Sequence, residues 1–96
     1  MNIGFIKQKA IPILRRHDVT KASIFGSYAR GEQREESDID FLIDYAPGMK
    51  KTLFDLVDLK NELEEAFNKN VDLLTEKAKI SPRIKECILR DKQVII

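Results

Sequence analysis

Ser37-Asp38-Ile39-Asp40-Phe41-Leu42-Ile43-Asp44 is the clearest strand in the sequence, because Ile39, Phe41 and Ile43 alternate with Asp38, Asp40, Leu42 and Asp44. One face is wholly apolar, and Pro47-Gly48 closes the strand with a turn. An Asp-x-Asp pair is often only the solvated face of a half-buried sheet. Aspartate is a poor strand former, however, so two of them on one face call for a reason. Side chains two residues apart on a strand leave the same face, about 6–7 Å from each other, so Asp38 and Asp40 can converge on a cation. Without one they repel, and one tends to take a proton. Mg²⁺ prefers carboxylate oxygens together with substrate phosphates, and Mn²⁺ suits the same oxygens. Asp44 lies roughly 13 Å from Asp40 by strand rise, too far to share a metal, and reads as a solvated strand end.

Upstream, Lys21-Ala22-Ser23-Ile24-Phe25 is a short strand that runs into Gly26-Ser27-Tyr28-Ala29-Arg30-Gly31. The glycine lets backbone amides approach a ligand, the serine offers a hydroxyl, and the following turn can open a short helix whose N-terminus favours phosphate. Alone this is a tight turn. With Ser27 eleven residues before Asp38, it reads as a phosphate cradle facing two metal ligands. Arg30 is either a phosphate clamp or an ion-pair partner for Glu35 or Glu36. Tyr28 is either a base-stacking or a packing side chain.

Downstream, Thr52 and Asp55 form a capping-box pattern, and Leu53, Leu56, Leu59, Leu63 and Phe67 make the apolar stripe of a helix of about four turns. Asn68-Lys69-Asn70 stops it. Val71-Asp72-Leu73-Leu74-Thr75 is a second strand interrupted by one carboxylate. If it lies beside the first, Asp72 completes a three-carboxylate cluster that ligates a metal and accepts the proton of an attacking hydroxyl; otherwise it is a strand residue facing water. Ser81-Pro82 opens a helix through Ile84 and Ile88, and Gln93-Val94-Ile95-Ile96 is a last short strand. At the other terminus Ile3, Ile6, Ala10, Ile13 and Leu14 mark an amphipathic helix, with a kink or restart expected at Pro12. Strands and helices interspersed in this way indicate an α/β (α+β) chain, a small mixed sheet with helices packed on it.

Ninety-six residues make one domain, residues 1–96. A net charge of +1, from 17 basic and 16 acidic side chains, argues against a generic nucleic-acid binder. The average conceals a pattern: residues 31–76 hold thirteen acidic and five basic side chains, while residues 1–30 and 77–96 are both basic. The basic flanks are solvated helix faces, or they offset the acidic centre or meet an acidic partner. One cysteine, Cys87, and one histidine, His17, exclude an internal disulfide and the usual Cys/His zinc site. A reduced cytoplasmic protein is expected, with Cys87 a small core residue and His17 a helix-end cation. No stretch approaches eighteen apolar residues and no signal-peptide core opens the chain, so neither a membrane span nor export is expected.

Gly26-Ser27-Tyr28-Ala29-Arg30-Gly31, then Ser37-Asp38-Ile39-Asp40, then Val71-Asp72-Leu73, closely resemble the signature of the minimal nucleotidyltransferases of the polymerase-β-like superfamily. The resemblance covers nearly the whole chain. It implies the polymerase-β-like nucleotidyltransferase fold, with Gly26 and Ser27 binding the nucleotide and Asp38, Asp40 and Asp72 as catalytic metal ligands. It further implies two Mg²⁺ ions and ATP as substrate. Many small members resemble antitoxins that transfer AMP from ATP to a tyrosine of a HEPN-domain toxin. The expected function is therefore a protein adenylyltransferase acting on such a partner and releasing pyrophosphate. Two other readings stand beside it: a binding module that neutralises its partner by occlusion, and a nucleotidyltransferase acting on a small molecule such as an aminoglycoside. The last needs an acceptor domain that this chain lacks unless an oligomer builds one.

Overall fold

A computed structural model describes residues 1–77 and 80–96. Among them the order is α1 (Ile3–Arg16), β1 (Val19–Phe25), α2 (Ser27–Arg30), β2 (Ile39–Tyr45), α3 (Leu53–Phe67), β3 (Val71–Thr75), α4 (Pro82–Asp91) and β4 (Gln93–Val94). The strands form one mixed sheet in the order β3-β2-β1-β4. β1 pairs antiparallel with both β2 and β4, whereas β2 and β3 run parallel, joined by α3 as a crossover. The expected mixed α/β architecture is the one observed.

Helix α1 begins where the Asn2 side chain accepts the Phe5 N–H at 2.9 Å. It runs unbroken past Pro12, so the restart expected there does not occur. Pro12 and Gln8 are both exposed, so the carbonyl deprived of its helical donor can bond water. Ile6, Ala10, Ile13 and Leu14 on the opposite side are buried and hold the helix to the core.

That core is assembled from the predicted apolar faces. Ile39, Phe41 and Ile43 of β2 are fully buried with Leu59 and Leu63 of α3, and the Phe41 and Phe67 rings lie 6.5 Å apart. Leu63→Ala should lower the unfolding free energy by about 2–5 kcal/mol in urea titration, because a sealed site cannot collapse around the missing atoms.

The start of α3 departs from expectation: the Asp55 carboxylate accepts the Thr52 N–H at 2.8 Å as the capping pattern requires, but Leu53 is exposed rather than part of the buried stripe. As the first residue of the helix it projects beyond the layer that Leu59 and Leu63 fill. On its other side α3 is tied to the end of α1, where Glu62 accepts from Arg16 and lies 3.1 Å from the His17 ring. The hydrogen bond to His17, helped by the charge of Arg16, holds the Glu62 carboxyl below its ordinary range. What the Glu62 carboxylate contributes through this tie is therefore kept above the ordinary carboxylate range and lost as pH falls below it.

Helix α4 opens as predicted, with the Ser81 hydroxyl accepting the Ile84 N–H. It contributes only Ile88 to the buried interior. Cys87 is exposed, not a core residue, because it lies one position, about 100° of helix rotation, from that single anchoring side chain. Among the described residues no helix is long and apolar enough to cross a membrane.

Candidate active site

β1 and β2 are antiparallel, so the C-terminal end of β1 meets the N-terminal end of β2, and Phe25 pairs with Asp40. β2 and β3 are parallel, so their N-terminal ends coincide, and Asp40 pairs with Asp72. Two pairings therefore deliver the Gly26-Ser27 turn and two carboxylates to one end of the sheet. Asp38 lies just before β2, exposed, at the same end.

The contacts there are close. Gly26 has φ +76° and ψ −151°, a conformation that essentially only glycine adopts. A Cβ on Gly26 would stand 2.2 Å from Asp40 Oδ2. The glycine thus serves two ends: it turns the chain, and it lets the turn lie against a carboxylate. Beyond it the chain closes into α2, with the Arg30 N–H donating to the Gly26 carbonyl at 3.2 Å. Tyr28 and Ala29 are buried beneath the turn, so Tyr28 is a packing residue and not a base platform.

Asp40 is half-buried and crowded by negative groups. Burial, a hydrogen bond shared with Asp72, and the charges of Asp72 and Asp38 push its carboxyl up to about 7, against a smaller opposing pull from Arg30. Asp72 itself is exposed at the sheet edge. Among the described residues no group of three His, Cys, Asp or Glu side chains is gathered tightly enough to enclose a metal ion. What the fold supplies is a pair in contact with a third carboxylate acting on it through charge. Such a donor set fits a divalent cation that arrives with substrate phosphates, since Mg²⁺ is commonly held by one or two carboxylates plus phosphate oxygens and water. A half-buried carboxyl raised by its own neighbours is the condition that a cation relieves.

Of the two roles read for Arg30, a phosphate clamp or an ion pair with Glu35 or Glu36, the ion pair forms with other partners: Glu32 at 3.1 Å and Asp91 at 3.4 Å. Asp91 is the last residue of α4, sixty-one positions away, so no local pattern could have found it. Gln93 was missed for the same reason: its side-chain amide donates to the Ala29 carbonyl at 2.7 Å and braces the far end of α2. A cavity of about 350 Å³ opens beside the turn, lined by Phe25, Gly26, Arg30, Arg83, Ile84 and Cys87 among others. A groove of about 740 Å³ begins at Asp38 and passes Glu35, Glu36, Glu64 and the Asn68–Asn70 loop. Of the three candidate carboxylates only Asp38 lines one of these openings, the groove, while the smaller cavity borders the Gly26 turn. Of the acidic side chains between residues 31 and 76, Glu35, Glu36, Asp38, Asp40, Glu64 and Asp72 lie at this end or along this groove, whereas Asp44 and Asp55 lie at the other end of β2.

A glycine turn against paired carboxylates at one end of a mixed sheet defines a nucleotidyltransferase, and residues 8–96 match the family described as Polymerase beta, Nucleotidyltransferase, to which the chain belongs. It is similar, at 56% identity over 91 residues and 95% of each chain, to the Methanocaldococcus jannaschii protein MJ0435, assigned to the protein adenylyltransferases. It also resembles the solved structure of a minimal nucleotidyltransferase, at 33% identity and TM-score 0.77, over 97% of this chain and 95% of that one. A third likeness, of fold alone, is to a complex of tri-AMPylated Shewanella oneidensis HEPN toxin with its MNT antitoxin (20% identity, TM-score 0.72, 97% of this chain and 71% of that one).

Proposed function

We propose that this nucleotidyltransferase is an antitoxin that transfers AMP from ATP to a tyrosine hydroxyl of a HEPN-domain toxin. The observation that carries the reading is the register of Asp40 with Asp72, with Gly26 in contact distance of Asp40. The names of the relatives and the AMPylated toxin complex support the acceptor class.

In the proposed reaction Gly26 and Ser27 bind the triphosphate, with Arg30 near enough to add positive charge. Asp38, Asp40 and Asp72 would hold Mg²⁺, and that ion supplies charge neutralisation on the phosphates and acidifies the acceptor hydroxyl. The acceptor oxygen forms a bond to the α-phosphorus, the bond from that phosphorus to the oxygen bridging to the β-phosphate breaks, and pyrophosphate leaves. Asp72, at the exposed edge, takes the hydroxyl proton. Positioning and charge, rather than covalent help from the protein, lower the barrier.

The test is intact-mass spectrometry of a co-encoded HEPN protein after incubation with this protein, ATP and Mg²⁺. A gain of one or more AMP units is expected. An unchanged mass in a tight complex would instead establish neutralisation by occlusion. Asp72→Asn should reduce the turnover rate by roughly 10²–10⁴-fold, with the KM for ATP rising by less than turnover falls, since Asp72 would help hold the ion but accepts the proton only in the transition state. A large rise in KM with unchanged turnover would remove Asp72 from that role.

A further inference from the structure

Helix α4, in the basic C-terminal flank, lays Arg83, Ile84 and Cys87 along the cavity of about 350 Å³ whose other wall includes Phe25, Gly26 and Arg30. That volume falls within the roughly 300–1,000 Å³ of small-ligand sites. Two guanidinium groups therefore border one cavity beside the Gly26 turn, at the end of the sheet where the candidate metal ligands are all carboxylates. They are not equivalent. Arg30 is engaged by Glu32 and Asp91, and Asp91 by Arg90 as well. Arg83 is exposed and joins no ion pair among the described residues. The apolar side chains of Phe25 and Ile84 displace water beside it, and a cation next to such walls attracts an anion more strongly than one in open solvent.

On the basis of the adenylyl transfer proposed above, we infer that Arg83 binds the pyrophosphate as it leaves, holding it in this cavity together with Arg30. The direction of bond breaking selects the place. In such transfers the attacking and leaving oxygens lie roughly in line through the phosphorus. The strand order β3-β2-β1-β4 puts Asp72, the proposed proton acceptor, on one side of Asp40 and the Gly26 turn on the other. An acceptor hydroxyl that gives its proton to Asp72 approaches from the β3 side. The bond from the α-phosphorus to the bridging oxygen then breaks toward the β1 side, its electron pair staying on that oxygen. There the turn stands, with Arg30 and Arg83 beyond it. Negative charge grows on the pyrophosphate as it departs, and a planar guanidinium with five donors matches its oxygens with paired hydrogen bonds. In the cavity two arginines outweigh one carboxylate, that of Asp91. The groove at Asp38 suits the same anion poorly, because Glu35, Glu36 and Glu64 line it against a single lysine, Lys69.

Two measurements on the full chain test this without any acceptor protein. Titration calorimetry with pyrophosphate and Mg²⁺ should show binding, weakened roughly tenfold or more in Arg83→Gln and by less in Arg83→Lys. Lys85→Gln removes the same charge from another side of α4, where the side chain borders Leu42 and Glu76, and should leave the affinity within about twofold. Cys87, the chain's single cysteine, lines the cavity and reports on its occupancy. At a concentration that saturates the wild-type chain, pyrophosphate with Mg²⁺ should slow alkylation of Cys87 by iodoacetamide, and should do so much less in Arg83→Gln. Arg83 and Lys85 are both exposed, so circular dichroism should show native folding in each variant. A chain that does not bind pyrophosphate, equal affinity in the wild type and Arg83→Gln, an equal loss in Lys85→Gln, or Cys87 alkylated at one rate with and without pyrophosphate overturns the inference. A HEPN protein that gains no mass would overturn the proposed acceptor and leave these results unaffected.

Discussion

Asp40→Asn is expected to cut AMP transfer by at least roughly 10²–10³-fold and, in the same protein, to raise the thermal stability of the metal-free chain at neutral pH. The two effects have one cause. Folding moves the Asp40 carboxyl from its ordinary 3.8 up to about 7 through burial, the hydrogen bond with Asp72 and the charges of Asp72 and Asp38. A carboxyl whose pKa rises on folding adds no penalty below pH 3.8, where it is protonated in both states. The penalty grows as pH rises from there and is complete above about pH 7, where the folded chain must hold the charge. Asparagine carries no charge at any pH, so its advantage follows the same course. Discounted for the solvent that reaches a half-buried side chain, the gain at pH 8 is on the order of 1–2 kcal/mol. For a chain of this size that corresponds to about 5–10 °C in melting temperature. Calorimetry in chelator at pH 8 and pH 4 measures it. Equal melting temperatures for the two proteins at pH 8 would show that the carboxylates are not crowded in the folded state. With ATP and Mg²⁺ the order should reverse, because only the wild-type chain gains the binding free energy of the ligand.

Gly26→Ala should be nearly as damaging to activity and, unlike Asp40→Asn, should also destabilise the fold. Its Cβ would fall 2.2 Å from Asp40 Oδ2, and the backbone at φ +76° is strained for any side chain. Such backbone strain alone costs about 1–3 kcal/mol. Relief requires either rotating the Asp40 carboxylate away or opening the turn, and each displaces a proposed ligand-binding group. A loss of roughly 10²-fold or more in kcat/KM for ATP is expected, with a lower urea midpoint. The double variant Gly26→Ala, Asp40→Ala should recover part of the stability but none of the activity. Stability that stays low in the double variant would place the strain in the backbone and not in the contact with Asp40.

The residues on which these predictions rest differ in how they could be read. Ile39, Phe41 and Ile43 announce their buried face by alternation, and Leu59, Leu63 and Phe67 announce theirs by helical spacing, because each pattern reflects the geometry of its own element. Gly26 and Asp40 were likewise visible as a turn glycine and an unexpected strand aspartate. That the turn faces the aspartates was also read from their spacing; that the glycine lies against Asp40 itself was not, since it depends on β1 folding back along β2 with Phe25 paired to Asp40. The helix does not restart at Pro12 for a related reason: the local penalty is real, but the burial of Ile6, Ala10, Ile13 and Leu14 outweighs it. Cys87 and Leu53 were placed inside by pattern and lie outside in fact. How much of a helix is covered depends on what packs there.

Local sequence therefore determined the element types, the mixed sheet and the identity of the candidate chemical groups, because propensity, capping and periodicity act over a few residues. Tertiary structure alone decided three things: that Asp40 stands in register with Asp72, that Arg30 turns to Glu32 and Asp91, and that Phe54 is left uncovered. Each joins or separates groups according to which elements become neighbours. Burial and charge then act through space on whatever that arrangement brings together, and it is there that the Asp40 carboxyl acquires its raised pKa.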